Sequence, residues 1–186
     1  MSATAVGPHI FWITSRGAGI AALLLSSGSV CLGLLMSGRL VKGRGPDLRV
    51  THEALSIATM LALAVHGLTL LGDSYLHPSL LDVSVPFVST YKPPWMAIGI
   101  ISGWAMILLG LSYYLRARIG QVRWRVLHRF TAVAWVLGIA HSLGEGTDAG
   151  QAWFLAMITI ATVPVLVLMV RRTWTASTSP ASRLAR

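Results

Sequence analysis

The chain has 186 residues, of which 54% are hydrophobic and only 11% charged, and its mean hydropathy is +0.68. This balance excludes a soluble globular domain and indicates an integral membrane protein with room for about five spans of roughly 20 residues. The single cysteine, Cys31, excludes an intrachain disulfide, a CxxCH site and an iron–sulfur cluster held by this chain alone. The net charge of +9 does not indicate a nucleic-acid partner, because the positive residues stand at the ends of apolar segments, as membrane orientation requires.

The hydrophobic pattern predicts an all-α integral membrane bundle. The five predicted spans are residues 17–37, 51–71, 95–115, 126–143 and 152–170. Positive residues follow the first apolar run rather than precede it, so we expect this helix to be retained and not cleaved as a signal peptide. Pro164 is expected to kink the fifth span.

The connections contain residues that start or break helices. After the first span, the loop RLVKGRGPDLRV holds Gly43, Gly45 and Pro46 as breakers. Thr51 is a candidate N-cap for the second helix. Residues 72–94 are too rich in proline and polar residues to span a membrane, so we expect an outside connection with a short interfacial helix.

Lysine and arginine are distributed unevenly between the two sides of the predicted membrane. Of the 15 such residues, only Arg16 and Lys92 lie on the side opposite the first loop, the third loop and the tail. The positive-inside rule therefore places the N-terminus outside and the C-terminus in the cytoplasm. We expect one membrane domain over residues 1–172 and a polar, disordered cytoplasmic tail over residues 173–186, in the cell (plasma) membrane, specifically a bacterial inner membrane.

Two predicted spans carry histidines at matching depths. His52 and His66 are fourteen residues apart in the second span, and His128 and His141 are thirteen apart in the fourth. At about 1.5 Å of helical rise per residue, each helix separates its two imidazoles by roughly 20 Å. Because both helices run from inside to outside, the predicted pairs are His52 with His128 near the cytoplasm and His66 with His141 near the outer face.

The residue types at each depth indicate which metal-containing group could bind there. Ionisable residues inside a membrane span are costly, so each histidine is a functional candidate; the alternative is a core histidine bonded to a neighbouring helix. Zinc normally takes three or four ligands at one place, whereas each depth offers two imidazoles and no cysteine. Two axial imidazoles from facing helices are the ligand set of a six-coordinate b-type haem, which passes electrons and leaves no free site for a small ligand.

Helical geometry places the two histidines of the second span on one face of the helix, but not those of the fourth span. At 100° per residue, fourteen residues return to within about 40° of the same face, so His52 and His66 point the same way. Thirteen residues leave about 140° between His128 and His141. We expect either a distortion of the fourth helix near Gly138 or two porphyrins that approach this helix from different sides.

The segments WITSRGAGIAALLL, HEALSIATMLALAVH and WRVLHRFTAVAWVLGIAH resemble the ferric reductase-like transmembrane domain. Ferric reductases, NADPH oxidases and the haem membrane subunit of periplasmic methionine sulfoxide reductase systems share this domain. The resemblance covers about residues 12–172, and its most specific parts are the histidine spacings and the Trp-Arg-x-x-x-His-Arg run that begins at Trp124. It implies transmembrane electron transfer through two haem b groups, with axial ligands at His52, His66, His128 and His141.

The resemblance leaves the partners of this chain open. Members of the family usually continue into a flavin and nicotinamide domain, but the sequence holds no strand–GxGxxG–helix unit. We therefore expect the haem membrane component of an oxidoreductase, with a separate electron-donor protein or a quinol as its partner and any flavin bound by that partner. The expected acceptor outside is a ferric chelate, oxygen or a partner protein.

Other residues admit two interpretations. Arg125 and Arg129 flank His128, and one of them is expected to pair with a propionate of the inner haem; a plain positive-inside anchor explains both equally well. His77 in the outer loop is more simply a solvated residue than part of an acceptor site. For the whole chain, the alternative function is a haemless membrane scaffold or small transporter subunit with structural or proton-relay histidines.

Overall fold

The computed structural model describes residues 9–38, 40–41 and 45–177, and the regular elements in these ranges are all helical. Five helical segments are long and apolar enough to cross a membrane: Ile10–Ser37, Gly45–Leu70, Pro93–Ile119, Gln121–Glu145 and Ala152–Arg172. The predicted all-α architecture with five spans is therefore confirmed.

Some of these spans consist of more than one helix. The helices are α1 (Ile10–Ser37), α2 (Gly45–Leu70), α3 (Leu80–Ser84), α4 (Pro93–Leu111), α5 (Arg116–Ile119), α6 (Gln121–His128), α7 (Thr131–Glu145) and α8 (Ala152–Ser177). A 3-10 turn at Ser112–Leu115 joins α4 to α5 within the third span, and α6 and α7 together form the fourth. Pro164 lies inside α8, which continues through it to Ser177. Residues 178–186 of the predicted tail lie outside the described residues.

The start of α2 differs from the prediction. The helix begins at Gly45, so Thr51 is an interior residue whose hydroxyl donates to the Asp47 carbonyl (2.9 Å), and it is not the N-cap. Pro46 fits the first turn because a backbone N–H at that position has no partner within a helix. The carboxylate of Asp47 also favours the helix N-terminus through the macrodipole. The expected breakers Gly45 and Pro46 therefore start the helix, whereas Gly43 lies outside the described residues.

The connection between α2 and α4 contains a short helix, as the sequence predicts. Ser79 and Asp82 form a reciprocal cap at the start of α3, in which each side chain accepts from the other residue's backbone N–H. Hydrogen bonds from Ser79 hold the pKa of the Asp82 carboxyl below its usual value. The indole N–H of Trp104 donates to the Ser84 carbonyl (2.8 Å), which attaches α3 to α4.

Four of the long helices pack as two pairs, and α8 packs against the first pair. α1 lies along α2, α4 lies along α7, and α8 packs on α1. Leu23 of α1 and Phe154 and Ile158 of α8 form a buried apolar cluster. Trp135 of α7 is 2% exposed, and its indole N–H donates to the Ser27 hydroxyl of α1 (2.9 Å). These contacts pack α1 against both α2 and α7.

Candidate functional site: two histidine pairs

The four predicted histidines meet as two pairs. The ring centroids of His52 and His128 are 6.1 Å apart at an interplanar angle of 86°. Those of His66 and His141 are 6.5 Å apart at 73°. The structure therefore brings together the residues that were expected to share a depth. Along α2, the two pairs are separated by fourteen residues, or about 21 Å.

The separation within each pair suits a metal ion held between two imidazoles. A metal–nitrogen bond of about 2.0 Å, with each Nε2 about 1.1 Å from its ring centroid, places two opposed rings with their centroids about 6.2 Å apart. The centroid distances of 6.1 and 6.5 Å bracket this value. Within the described residues, no group of three or more His, Cys, Asp or Glu side chains could hold a metal ion. Each pair offers two imidazoles, which is the number of axial ligands that the iron of a planar macrocycle such as haem can take from a protein.

Backbone carbonyls fix the second nitrogen of three of the four rings. The three hydrogen bonds run from His52 Nδ1 to the Ser29 carbonyl (2.9 Å), from His66 Nδ1 to the Ser15 carbonyl (2.8 Å) and from His141 Nδ1 to the Trp95 carbonyl (2.9 Å). Because a carbonyl oxygen can only accept, Nδ1 carries the proton in each ring and Nε2 keeps a lone pair. Histidines that ligate metals are usually oriented by such a second hydrogen bond.

Two serines of α1 add side-chain contacts to these bonds. The buried Ser15 hydroxyl lies 3.0 Å from His66 Nδ1 and also donates to the His66 carbonyl (3.0 Å). The buried Ser29 hydroxyl lies 3.1 Å from His52 Nδ1 and 2.9 Å from the Ser56 hydroxyl. α1 therefore contacts both histidines of α2, a role that its sequence alone does not indicate.

His128 is held differently from the other three histidines. Its Nδ1 is buried and makes no hydrogen bond of standard distance and angle in the described part of the chain, although the Leu109 carbonyl lies close enough to interact with the ring. The ring instead stacks on Trp124, with centroids 5.1 Å apart and an interplanar angle of 24°. The Trp124 indole N–H donates to the Ser112 hydroxyl (3.2 Å), which fixes the stacking partner.

The break between α6 and α7 reduces the angular mismatch between His128 and His141. The backbone N–H groups of Arg129, Phe130 and Ala132 each bond to the carbonyl three residues earlier. Winding of this 3-10 type turns about 20° more per residue than an α-helix, so three such residues remove about 60° of the 140° mismatch. The expected distortion near Gly138 is therefore misplaced: Gly138 lies within α7, and the distortion falls at residues 129–130.

The two arginines beside His128 are exposed at one end of the bundle. Arg125 Nε donates to the Gln121 carbonyl (3.4 Å), and Arg129 follows the last residue of α6. Their expected contact with a propionate stays a prediction. His77 is exposed in the connection after α2 and belongs to neither histidine pair.

The other end of the bundle carries the two positive residues expected outside. Arg16, next to Ser15, donates two hydrogen bonds of 2.5 Å to Asp148 in the turn between α7 and α8. Its guanidinium also lies over the Trp12 ring, 5.2 Å from the centroid. Lys92 lies 3.9 Å from Glu145 at the end of α7. Both cations therefore face carboxylates of the segment GEGTDAG.

Fold and site together define a class, that of multi-pass membrane proteins with histidine pairs at two depths of one helical bundle. The family model described as Ferric reductase like transmembrane component matches residues 18–139, and the chain belongs to this family. The match includes His52, His66 and His128 and ends shortly before His141. No curated protein and no solved structure matches the chain. Members of this family typically bind haem and transfer electrons across a membrane.

Proposed function

We propose that this protein carries electrons across a membrane through two bis-histidine b-type haems, one at each histidine pair. The observation that carries the proposal is the double pairing of imidazoles, with centroids 6.1 and 6.5 Å apart. Unrelated core histidines would have no physical reason to meet twice, at two depths of the same two membrane spans. The protonated Nδ1 atoms of three rings further support the assignment because they leave Nε2 as the ligand atom.

The chain contributes ligands, orientation and a dry environment. The four histidines would hold haem b, which would supply a one-electron carrier, and two histidine ligands on each iron would leave no position there for a small molecule. The carbonyls of α1 and α4 hold three rings in place. The apolar cluster between α1 and α8 surrounds the far side of α1 with nonpolar side chains. This arrangement favours electron transfer over ligand binding or proton relay.

We propose that the end nearer His128 faces the cytoplasm. Positive residues at this end include Arg49, Arg116, Arg118, Arg123 and Arg125. At the opposite end, Arg16 and Lys92 face carboxylates, and the positive-inside rule favours the more basic side as cytoplasmic. Electrons then pass from a separate cytoplasmic donor protein or a membrane quinol toward a ferric chelate, oxygen or a partner protein outside, across a bacterial inner membrane.

The test is the visible spectrum and haem content of the purified chain, expressed with an adequate supply of haem. We expect the split absorbance bands of low-spin haem after dithionite reduction, and two haems per chain by the pyridine haemochrome assay. A protein that takes up no haem under these conditions would overturn the proposal. That result would favour the alternative, a haemless scaffold or small transporter subunit with structural histidines.

A further inference from the structure

We infer that three of the four histidines are positioned by one repeated backbone device, and that this device tunes how the ring nitrogens bind iron. We call it the carbonyl notch: the carbonyl of a helical residue together with a glycine four residues later. The three copies are the Ser15 carbonyl with Gly19, the Ser29 carbonyl with Gly33 and the Trp95 carbonyl with Gly99. Its redox consequence rests on the proposed function, whereas the contacts themselves do not.

Glycine leaves room in the notch for the histidine ring. In an α-helix the carbonyl of residue i points toward residue i+4, so the side chain at i+4 flanks the second lone pair of that oxygen. A Cβ added at Gly99 would lie 2.5 Å from His141 Cε1, and one at Gly19 would lie 3.1 Å from His66 Nδ1. At Gly33 the added atom would be 3.4 Å from His52 Cε1, an ordinary contact. The need for glycine is therefore strongest at Gly99 and weakest at Gly33.

The spacing of the notches matches the spacing of the histidines. Ser15 and Ser29 are fourteen residues apart on α1, as are His66 and His52 on α2. Two neighbouring helices with the same repeat keep the same register at both depths. The Ser-x-x-x-Gly pattern of α1 is therefore matched to the histidine pattern of α2.

The fourth position shows what happens when the notch is missing. Leu109 lies fourteen residues after Trp95 on α4, and its carbonyl faces His128. The residue four positions later is Tyr113, which is not a glycine and lies in the 3-10 turn. Of the four Nδ1 atoms, that of His128 makes no hydrogen bond of standard geometry within the described residues. The glycine and the hydrogen bond are thus present together at three rings and absent together at the fourth.

The notch has a consequence for the metal. Donation of the Nδ1 proton to a carbonyl increases the electron density on the opposite nitrogen of the ring, which makes it a stronger ligand. A stronger axial donor stabilises ferric over ferrous iron and lowers the reduction potential. The notch glycines are therefore positioning residues that act through the histidines and do not themselves contact the iron.

The test is to substitute alanine at notch glycines and at matched glycines of the same helices. The test variants are Gly99→Ala and Gly19→Ala. The controls are Gly103→Ala and Gly17→Ala, where an added Cβ meets nothing within 4 Å. Alanine has a higher helix propensity than glycine, so the control helices should form at least as well as in the wild type. The measurements are haem per chain, the midpoint potentials and the low-spin EPR signals.

We expect Gly99→Ala to lose half of the bound haem, namely that of the His66–His141 pair. Gly19→Ala should retain this haem with an upward shift of its potential and an altered EPR signal, and both controls should match the wild type. If Gly99→Ala fails to fold, the comparison of Gly19→Ala with Gly17→Ala decides. Test variants that equal their controls while the wild type holds two haems would overturn the notch alone. A wild type without haem would instead overturn the proposed function, and the inferred tuning with it.

Discussion

The two histidine pairs are built from the same four helical segments but are held in different ways. In the His66–His141 pair, both Nδ1 atoms donate to backbone carbonyls, at 2.8 and 2.9 Å. In the His52–His128 pair, only His52 does so, and His128 instead stacks on Trp124. The difference arises where α4 gives way to a 3-10 turn beside His128. Matching depths are therefore compatible with unequal ligand environments, so the two sites should differ in affinity and potential.

The largest expected effect comes from removal of one ligand. His66→Ala or His141→Ala should remove the haem of that pair alone, and His52→Ala or His128→Ala the other, because each iron needs both of its axial nitrogens. Haem per chain should fall from two to one in each variant by pyridine haemochrome assay. His77→Ala is the control and should retain both haems, since His77 is exposed outside the pairs. Loss of both haems, or of neither, from a single ligand substitution contradicts the pairing.

A smaller effect is expected at the stacking partner of the less constrained ring. Trp124→Leu removes the aromatic face that lies 5.1 Å from the His128 centroid. Because Nδ1 of this ring lacks a compensating hydrogen bond, we expect partial loss of haem from the His52–His128 pair and broadening of its EPR signal, with the other pair unchanged. Trp124→Phe should preserve the stack. Equal losses in the leucine and phenylalanine variants would show that stacking has no specific role.

The midpoint potentials of the two haem sites should also differ. Two carbonyl-bonded imidazoles donate more electron density than one, so the haem at His66–His141 should have the lower midpoint potential. A redox titration of the wild type should resolve two waves, and the His66→Ala variant should lose the lower one. Loss of the upper wave would show that charges near the sites outweigh the hydrogen bonds to the ligands.

The smallest effect is expected at the ion pair that closes the end beyond His141. Arg16→Gln removes a pair of charge-assisted hydrogen bonds to Asp148. Because the pair is only partly buried, we expect a loss of about 1 to 2 kcal/mol in the free energy of unfolding in detergent. Haem content should not change. Arg118→Gln, at an exposed position of the other end, should leave stability within about 0.5 kcal/mol of the wild type.

The number of spans and the depth of each histidine were predictable from the sequence. Apolar run length predicts the number of spans, and residue spacing along a helix predicts the depth of each histidine. The pairs at 6.1 and 6.5 Å join the residues that depth alone had matched. Helix ends were less predictable, because Pro46 serves equally as a breaker and as a first-turn residue.

Two parts of the site depend on tertiary contacts that no local pattern reveals. The overwinding at Arg129 and Phe130 has no glycine or proline to mark it, whereas Gly138, which suggested a distortion, fits within an α-helix. The Ser-x-x-x-Gly repeat of α1 is visible in the sequence. Its role in holding the histidines is evident only from the packing of α1 against α2, because the same spacing would also serve simple helix packing.

An experimentally determined map of the purified, haem-loaded chain in a lipid nanodisc would test directly whether each histidine pair holds a haem. We predict two porphyrins, one with its iron between His52 and His128 and the other between His66 and His141. A map in which these imidazoles turn toward lipid, or in which iron takes other axial ligands, would contradict the account.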